Sequence, residues 1–126
     1  MKKPLRMQSV AATLLIVGVG AVLAAGNAAN DGKALLENNC GRCHSIAASG
    51  DSPLAKAPPL REVYLRYPIE QLEEGFAEGM GSKHQDMPQI QFSTEQVAAI
   101  LTYLGSITGV DPSKRPRAPI QGETPP

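Results

Sequence analysis

The sequence predicts an all-α fold of three to four helices in one small domain. Two segments place apolar residues at helical spacing, and no segment alternates apolar and polar residues as a strand does. The chain has 126 residues, 42% of them hydrophobic, which suits a single domain. Tryptophan is absent, and three tyrosines and two phenylalanines are the only aromatic residues, so another group is needed to fill the core.

Residues 1–28 have the features of an export signal. Three basic residues open the chain: Lys2, Lys3 and Arg6. An uncharged apolar run over 10–26 follows, and small residues crowd between Ala24 and Ala29, where we expect cleavage. The alternative is an uncleaved anchor, because 17 apolar residues are at the lower limit for spanning a bilayer. Cleavage leaves nine Lys and Arg against twelve Asp and Glu, a net charge of −3.

The folded unit is expected to cover residues 29–110. Five of the sixteen residues in 111–126 are proline, and their spacing suits neither a helix nor a strand, so we expect a disordered tail. The unit has about 80 residues, which is small for a purely apolar core. No basic block precedes the tail, so a nucleic-acid partner is not expected.

The first helix of this unit is expected to begin at Asn30 or Asp31, since both are good N-cap residues. Leu35 and Leu36 follow at helical spacing, and the helix runs into the cysteines. Residues 45–60 are rich in serine, glycine and proline and predict a loop.

Two further helices are predicted after this loop. Pro68 suits the first turn of the earlier one. Its apolar face is formed by Ile69, Leu72 and Phe76, and its acidic residues are Glu70, Glu73, Glu74 and Glu78. Ser93 and Gln96 have the spacing of a capping box and begin the later helix. Its apolar stripe is formed by Val97, Ile100, Leu101 and Leu104.

The only two cysteines, Cys40 and Cys43, are followed directly by His44 in the sequence CGRCH. Two thiols three residues apart on a helical turn face the same side, so both can bond to vinyl groups along one porphyrin edge. The adjacent imidazole can then reach the metal. After an export signal, this spacing predicts a haem of the c type attached through both cysteines, with His44 as an iron ligand.

Three other chemistries use paired thiols. A structural disulfide needs no histidine and here closes a loop too short to stabilise the fold much. A thioredoxin-like dithiol requires a preceding parallel strand, and none is predicted. A zinc site needs two more ligands, and among the usual ones only His84 remains.

The sixth iron position decides what a haem at this site does. Its candidates are Met80, His84 and Met87, and an open position is the remaining alternative. We favour Met87, because Pro88 biases it toward an extended backbone and stiffens a polar loop in which a core methionine is unexpected. Met80 ends an amphipathic helix, where methionine is ordinarily a gap-filling core residue.

In order along the chain, these segments resemble the class I c-type cytochromes, in particular the short single-haem members of the bacterial periplasm. GKALLENNCGRCH is similar to the family's first helix and attachment motif, and APPL to its proline loop. DMP resembles its methionine-ligand loop, and AILTYLGSI its last helix. The resemblance implies the small cytochrome c fold, with its helices wrapped around one covalently bound haem c.

The resemblance also implies roles for individual residues. The Pro58 carbonyl would accept a hydrogen bond from the His44 ring, Leu60 would touch the haem face, and Tyr103 would line the haem pocket. The first and last helices would cross at Gly32, Leu36, Ile100 and Tyr103. The candidates for binding the haem propionates are Arg61, Tyr64, Arg66 and Tyr67. A basic rim at the haem edge would consist of Arg42, Lys56 and Lys83.

The resemblance implies a carrier of single electrons between redox proteins, with no enzymatic activity and no small-molecule substrate. His44 and Met87 would fill both axial positions of the iron. The carrier would lie in the periplasm, in contact with a membrane only if the signal segment is uncleaved. One alternative is a haem sensor or peroxidase-like enzyme with a labile sixth ligand. Another is a haem subunit of a larger oxidoreductase, tethered by the proline-rich tail.

Overall fold

A computed structural model describes residues 13–79 and 86–115, with side chains from residue 26 onward. Four α-helices and one short 3-10 turn occur in these residues, and no strand does. The helices are α1 (Thr13–Asn39), α2 (Leu60–Arg66), α3 (Ile69–Glu78) and α4 (Thr94–Thr108), and the 3-10 turn is Pro112–Lys114. The predicted all-α fold is confirmed.

The crossing of α1 and α4 is the most extensive contact between helices in the described residues. Gly32 lies directly against the backbone of Ala99 and Ile100, so closely that a Cβ atom at this position would overlap the Ala99 carbonyl group. One turn later, Leu36 is fully buried in the same cluster as Ile100. The helices therefore cross at Gly32, Leu36 and Ile100, as the family resemblance implied, and glycine permits the close approach.

The last helix, α4, begins with the predicted capping box. The Ser93 hydroxyl accepts a hydrogen bond from the Gln96 N–H, and the Gln96 side chain accepts one from the Ser93 N–H at 2.9 Å. The helix ends at Gly109, whose φ of 71° lies in the left-handed region that glycine favours. The whole predicted stripe is buried: Val97, Ile100, Leu101 and Leu104.

The apolar face of α3 packs into the same core. Its three predicted residues are all buried: Ile69, Leu72 and Phe76. Phe92 meets Phe76 edge-on, with ring centroids 6.1 Å apart, and its N–H donates to the Phe76 carbonyl at 2.9 Å. These contacts fold the chain after residue 86 back along α3.

The first helix is longer than predicted. Asn30 and Asp31 lie inside α1 instead of capping it, because no proline interrupts Thr13–Asn39 and its alanines and leucines have high helix propensity. The prediction of a helix start at these residues is therefore wrong. Along the described residues, none of the helices combines the length and the hydropathy that a membrane span requires.

Two ordered elements were missed in the sequence. The helix α2 follows the predicted loop directly and buries Leu60 and Tyr64, one turn apart. The predicted disordered tail is wrong at its start, where Asp111 caps the 3-10 turn and Arg115 packs on Tyr64. The rest of that tail, 116–126, lies outside the described residues.

Candidate haem-binding site

The attachment sequence forms a helical turn that continues past the end of α1. The Cys40 N–H donates to the Leu36 carbonyl at 2.8 Å. The N–H groups of Cys43 and His44 both donate to the Cys40 carbonyl, at 3.0 and 2.9 Å. Because residues three apart on such a turn are neighbours, the two thiols share one face of it.

Both cysteines are free thiols and are half-buried. Burial and, to a lesser extent, the nearby Cys43 together raise the pKa of the Cys40 thiol to about 11. At neutral pH Cys40 is therefore protonated. A protonated, partly buried thiol is a poor redox nucleophile, which argues against the dithiol alternative.

The ring of His44 is oriented by the proline loop. Its Nδ1 lies 2.7 Å from the carbonyl oxygen of Pro58, the contact that the resemblance to class I c-type cytochromes implied. Since a carbonyl oxygen can only accept, Nδ1 carries the proton and Nε2 keeps the lone pair that can bind a metal. The ring is half-buried, so this hydrogen bond is partly shielded from water.

The chain directly after His44 is tied to both α2 and α4. The Ser45 carbonyl accepts the Leu60 N–H at 2.9 Å, and the Ile46 carbonyl accepts the Tyr103 hydroxyl at 3.0 Å. Leu60 and Tyr103 are both buried in the main apolar cluster, against which Cys40 packs. The structure therefore places these two predicted pocket residues beside the attachment turn, while their contact with haem stays a prediction.

Two side chains brace the same loop: Ser52, which sequence analysis did not assign to the site, and Arg61, which it assigned only as a candidate for binding a propionate. Ser52 Oγ accepts the Ser45 N–H at 2.9 Å, and Arg61 Nη1 lies 3.4 Å from both Ser45 Oγ and the Ala47 carbonyl oxygen. Neither residue belongs to a recognisable motif. Their contacts depend on how the loop folds, and a single sequence does not specify this.

Met87 lies on a different part of the chain, in a bend just before Pro88, and is half-buried. The residues after it return to α3, where Gln91 Nε2 donates to the Glu78 carbonyl at 3.0 Å. Met80, Lys83 and His84 lie outside the described residues. The role of Met87 as an iron ligand stays a prediction.

The four candidates for binding propionates differ in exposure. Tyr64 is fully buried, and its hydroxyl donates to the Val110 carbonyl at 2.7 Å. Arg61 is engaged with the loop after His44. Arg66, the last residue of α2, and Tyr67, its C-cap residue, are both exposed. The Tyr64 hydroxyl is thus already hydrogen-bonded within the protein.

A family model described as Cytochrome c matches residues 29–108, most of the chain. The protein belongs to the cytochrome c family. The match covers the attachment turn, the proline loop, Met87 and the whole of α4. No curated protein and no solved structure matches the chain significantly. Because cytochromes c bind haem covalently through this CxxCH motif, the chain carries one haem c on Cys40 and Cys43.

The residues of this cytochrome c domain are suited to binding a covalently attached haem c. The free thiols share one face of a turn, the His44 Nε2 is available to iron, and the neighbouring cluster is apolar. Over the described ranges, no group of three or more His, Cys, Asp and Glu side chains is placed to hold a metal ion by itself. The haem-binding and electron-transfer character of the family therefore applies to this chain.

Proposed function

We propose that this cytochrome c is an exported carrier of single electrons between redox proteins, with His44 and Met87 as the two iron ligands. The observation that carries the proposal is the 2.7 Å contact between His44 Nδ1 and the Pro58 carbonyl, next to the attachment cysteines. It fixes the ring and directs Nε2 alone to a metal. Electron carriers require such a fixed centre, because little should move when the charge changes.

Bound haem supplies an iron that gains or loses one electron. The residues around the haem set the reduction potential of this iron. The hydrogen bond to the Pro58 carbonyl would make the His44 ring a stronger electron donor to iron, which favours the ferric state. The Met87 sulfur, as the second ligand, would favour the ferrous state and raise the potential, as would an apolar surrounding that disfavours the extra ferric charge.

The alternative of a haem sensor or peroxidase-like enzyme differs in one measurable property, an accessible sixth position. We expect the reduced protein to bind carbon monoxide slowly or not at all, and the ferric protein to turn over peroxide no faster than free haem. Met87→Ala opens the position and is the positive control for both assays. Rapid carbon monoxide binding and peroxide turnover by the unmodified protein would support the sensor or enzyme instead.

Export to the periplasm rests on the signal-like residues 1–28. Expression in a bacterium with a haem-attachment system should yield a mature chain that begins between about Ala24 and Ala29 and appears in the periplasmic fraction. An intact N-terminus in the membrane fraction would instead show an anchored protein. The mature mass should exceed that of the cleaved polypeptide by one haem.

A further inference from the structure

We propose that a C-terminal strap, residues 110–115, positions the ring of His44 by holding α2 in place. Arg115 and Tyr64 are then positioning residues for the hydrogen bond between His44 and Pro58. The inference rests on the proposed ligation of iron by His44. The strap would give the C-terminal end of the domain an influence on the reduction potential of the haem.

The helix α2 is too short to define its own position. It has seven residues, whereas isolated helices below about 12–15 residues are marginal in water. Pro59, its N-cap residue, makes no capping hydrogen bond through its side chain. The location of α2 therefore depends on its tertiary contacts, which are made with α4 and with the segments at its two ends.

The first end of α2 is part of the haem-binding site. Pro58, two residues before the helix, presents the carbonyl oxygen that lies 2.7 Å from His44 Nδ1. Leu60, the first helical residue, donates its N–H to the Ser45 carbonyl at 2.9 Å. Any shift of α2 along or about its axis therefore changes the distance between Pro58 and the histidine ring.

The second end of α2 is held by the strap. Tyr64 is fully buried and donates its hydroxyl to the Val110 carbonyl at 2.7 Å. The Arg115 guanidinium lies 4.4 Å from the centre of the Tyr64 ring, within the range of a cation–π contact. Arg115 Nη2 also donates to the Tyr67 carbonyl at 2.7 Å. Three contacts thus fix Tyr64 of α2 and Tyr67, the C-cap residue of this helix, which are nearly one turn apart.

The strap is itself ordered, so it can act as a fixed support. Asp111 accepts hydrogen bonds from the N–H and the hydroxyl of Ser113, at 2.8 and 2.7 Å, and these bonds lower the pKa of its carboxyl group. Pro112 packs against Gly105 of α4, where a Cβ atom would lie only 2.8 Å from the proline ring. The strap therefore transmits the position of α4 to α2.

Loosening the strap should weaken the hydrogen bond at His44. When α2 is released at Tyr64 and Tyr67, the Pro58 carbonyl is no longer held against Nδ1. The imidazole then donates less electron density to iron, the ferric state loses stabilisation, and the reduction potential rises. A purely structural strap would lower the melting temperature without moving the potential.

The test compares Arg115→Ala and Tyr64→Phe with the unmodified haem-loaded chain. Lys114→Ala is the matched control, because Lys114 is a neighbouring cation with an 81% exposed side chain, and its ion pair is to Asp111 within the strap. The readouts are the reduction potential and the exchange rate of the His44 Nδ1 proton in the ferrous protein, followed by NMR. We expect a higher potential and at least about tenfold faster exchange, equivalent to about 1.4 kcal/mol, in both strap variants but not in the control.

Unchanged potential and exchange in folded Arg115→Ala and Tyr64→Phe proteins would overturn the inference. If Arg115→Ala does not fold, Arg115→Gln removes the charge from the tyrosine ring while keeping a donor for the Tyr67 carbonyl, and it should give a smaller shift in the same direction. No shift in Arg115→Gln would equally overturn the inference. Failure of this inference can be distinguished from failure of the proposed function. If His44 and Met87 are not the iron ligands, the ligand spectrum of the unmodified protein shows it, whereas the strap is tested only by the variants.

Discussion

Gly32→Ala is expected to destabilise the fold through the crossing of α1 and α4. A Cβ atom on Gly32 would lie 2.9 Å from the backbone nitrogen of Ile100 and closer still to the Ala99 carbonyl. These are backbone atoms of a helix, which cannot rotate away as a side chain can. The two helices must therefore move apart, and the fully buried Leu36 next to the contact loses part of its packing.

The size of this effect follows from two opposing contributions. Overpacking a well-packed core costs about 1–3 kcal/mol, and the rigid backbone contact places this position in the upper part of that range. Replacing glycine by alanine inside a helix returns about 0.8–1 kcal/mol. The expected net loss is about 1–2 kcal/mol in the free energy of unfolding, which lowers the melting temperature by about 4–16 °C for a domain of this size.

Thermal unfolding of the haem-loaded protein, followed by circular dichroism at 222 nm, measures this loss. Asn30→Ala is the control, because Asn30 is exposed on the same helix and its replacement changes helix propensity without a new contact. We expect the control to unfold at or slightly above the wild-type temperature. If the melting temperature of Gly32→Ala is not below that of the wild type, α1 and α4 do not approach each other closely at Gly32.

Three further changes test other parts of the structure. Ser93→Ala removes the capping box of α4 and should lower the free energy of unfolding by about 1 kcal/mol in a urea titration, whereas Ser93→Gly should lose only a few tenths. Burial raises the pKa of Tyr64, so the folded protein holds the phenol proton more tightly than the unfolded chain does. Its contribution to stability should be complete below about pH 10 and lost as the pH rises through the raised value, a loss that Tyr64→Phe should not show in urea titrations across this range. Lys56→Glu, at an exposed position of the predicted rim, should slow electron transfer to an acidic partner at low salt in stopped-flow measurements, while charge reversal at Glu73 should have much less effect.

Each of these predictions has a result that would contradict it. An unchanged urea midpoint in Ser93→Ala would show that the cap contributes nothing to stability. Equal alkaline losses in the wild type and Tyr64→Phe would assign the loss to another group. Exposed charges are screened over about 10 Å at 0.1 M salt, so the effect of Lys56→Glu must shrink as salt is added. A difference that persists at high salt would exclude electrostatic steering.

The elements predicted correctly are those whose determinants are close together in the sequence. The capping box at Ser93 and the stripe after it lie within four turns, and Ile69, Leu72 and Phe76 form a face by spacing alone. The attachment turn is equally local. Such features depend on residues three or four positions apart, which a single sequence displays directly.

The elements missed depend on contacts between distant residues. The short helix α2 is held by Tyr64 and Val110, which are 46 residues apart, and at its other end by Pro58 and His44. Arg115 lies in a proline-rich segment that suggests disorder, yet it packs on a tyrosine of α2. No local pattern specifies these pairings, so neither α2 nor the strap could be predicted from spacing.

The most direct test of the proposed function is the ligand spectrum of the ferric protein. Methionine sulfur bound to ferric haem gives a weak long-wavelength charge-transfer band. We expect this band in the wild type and in Met80→Ala, and its loss in Met87→Ala, together with a lower reduction potential. A wild-type spectrum without the band, or a band that survives Met87→Ala and disappears in Met80→Ala, would contradict the assignment of Met87 as the iron ligand.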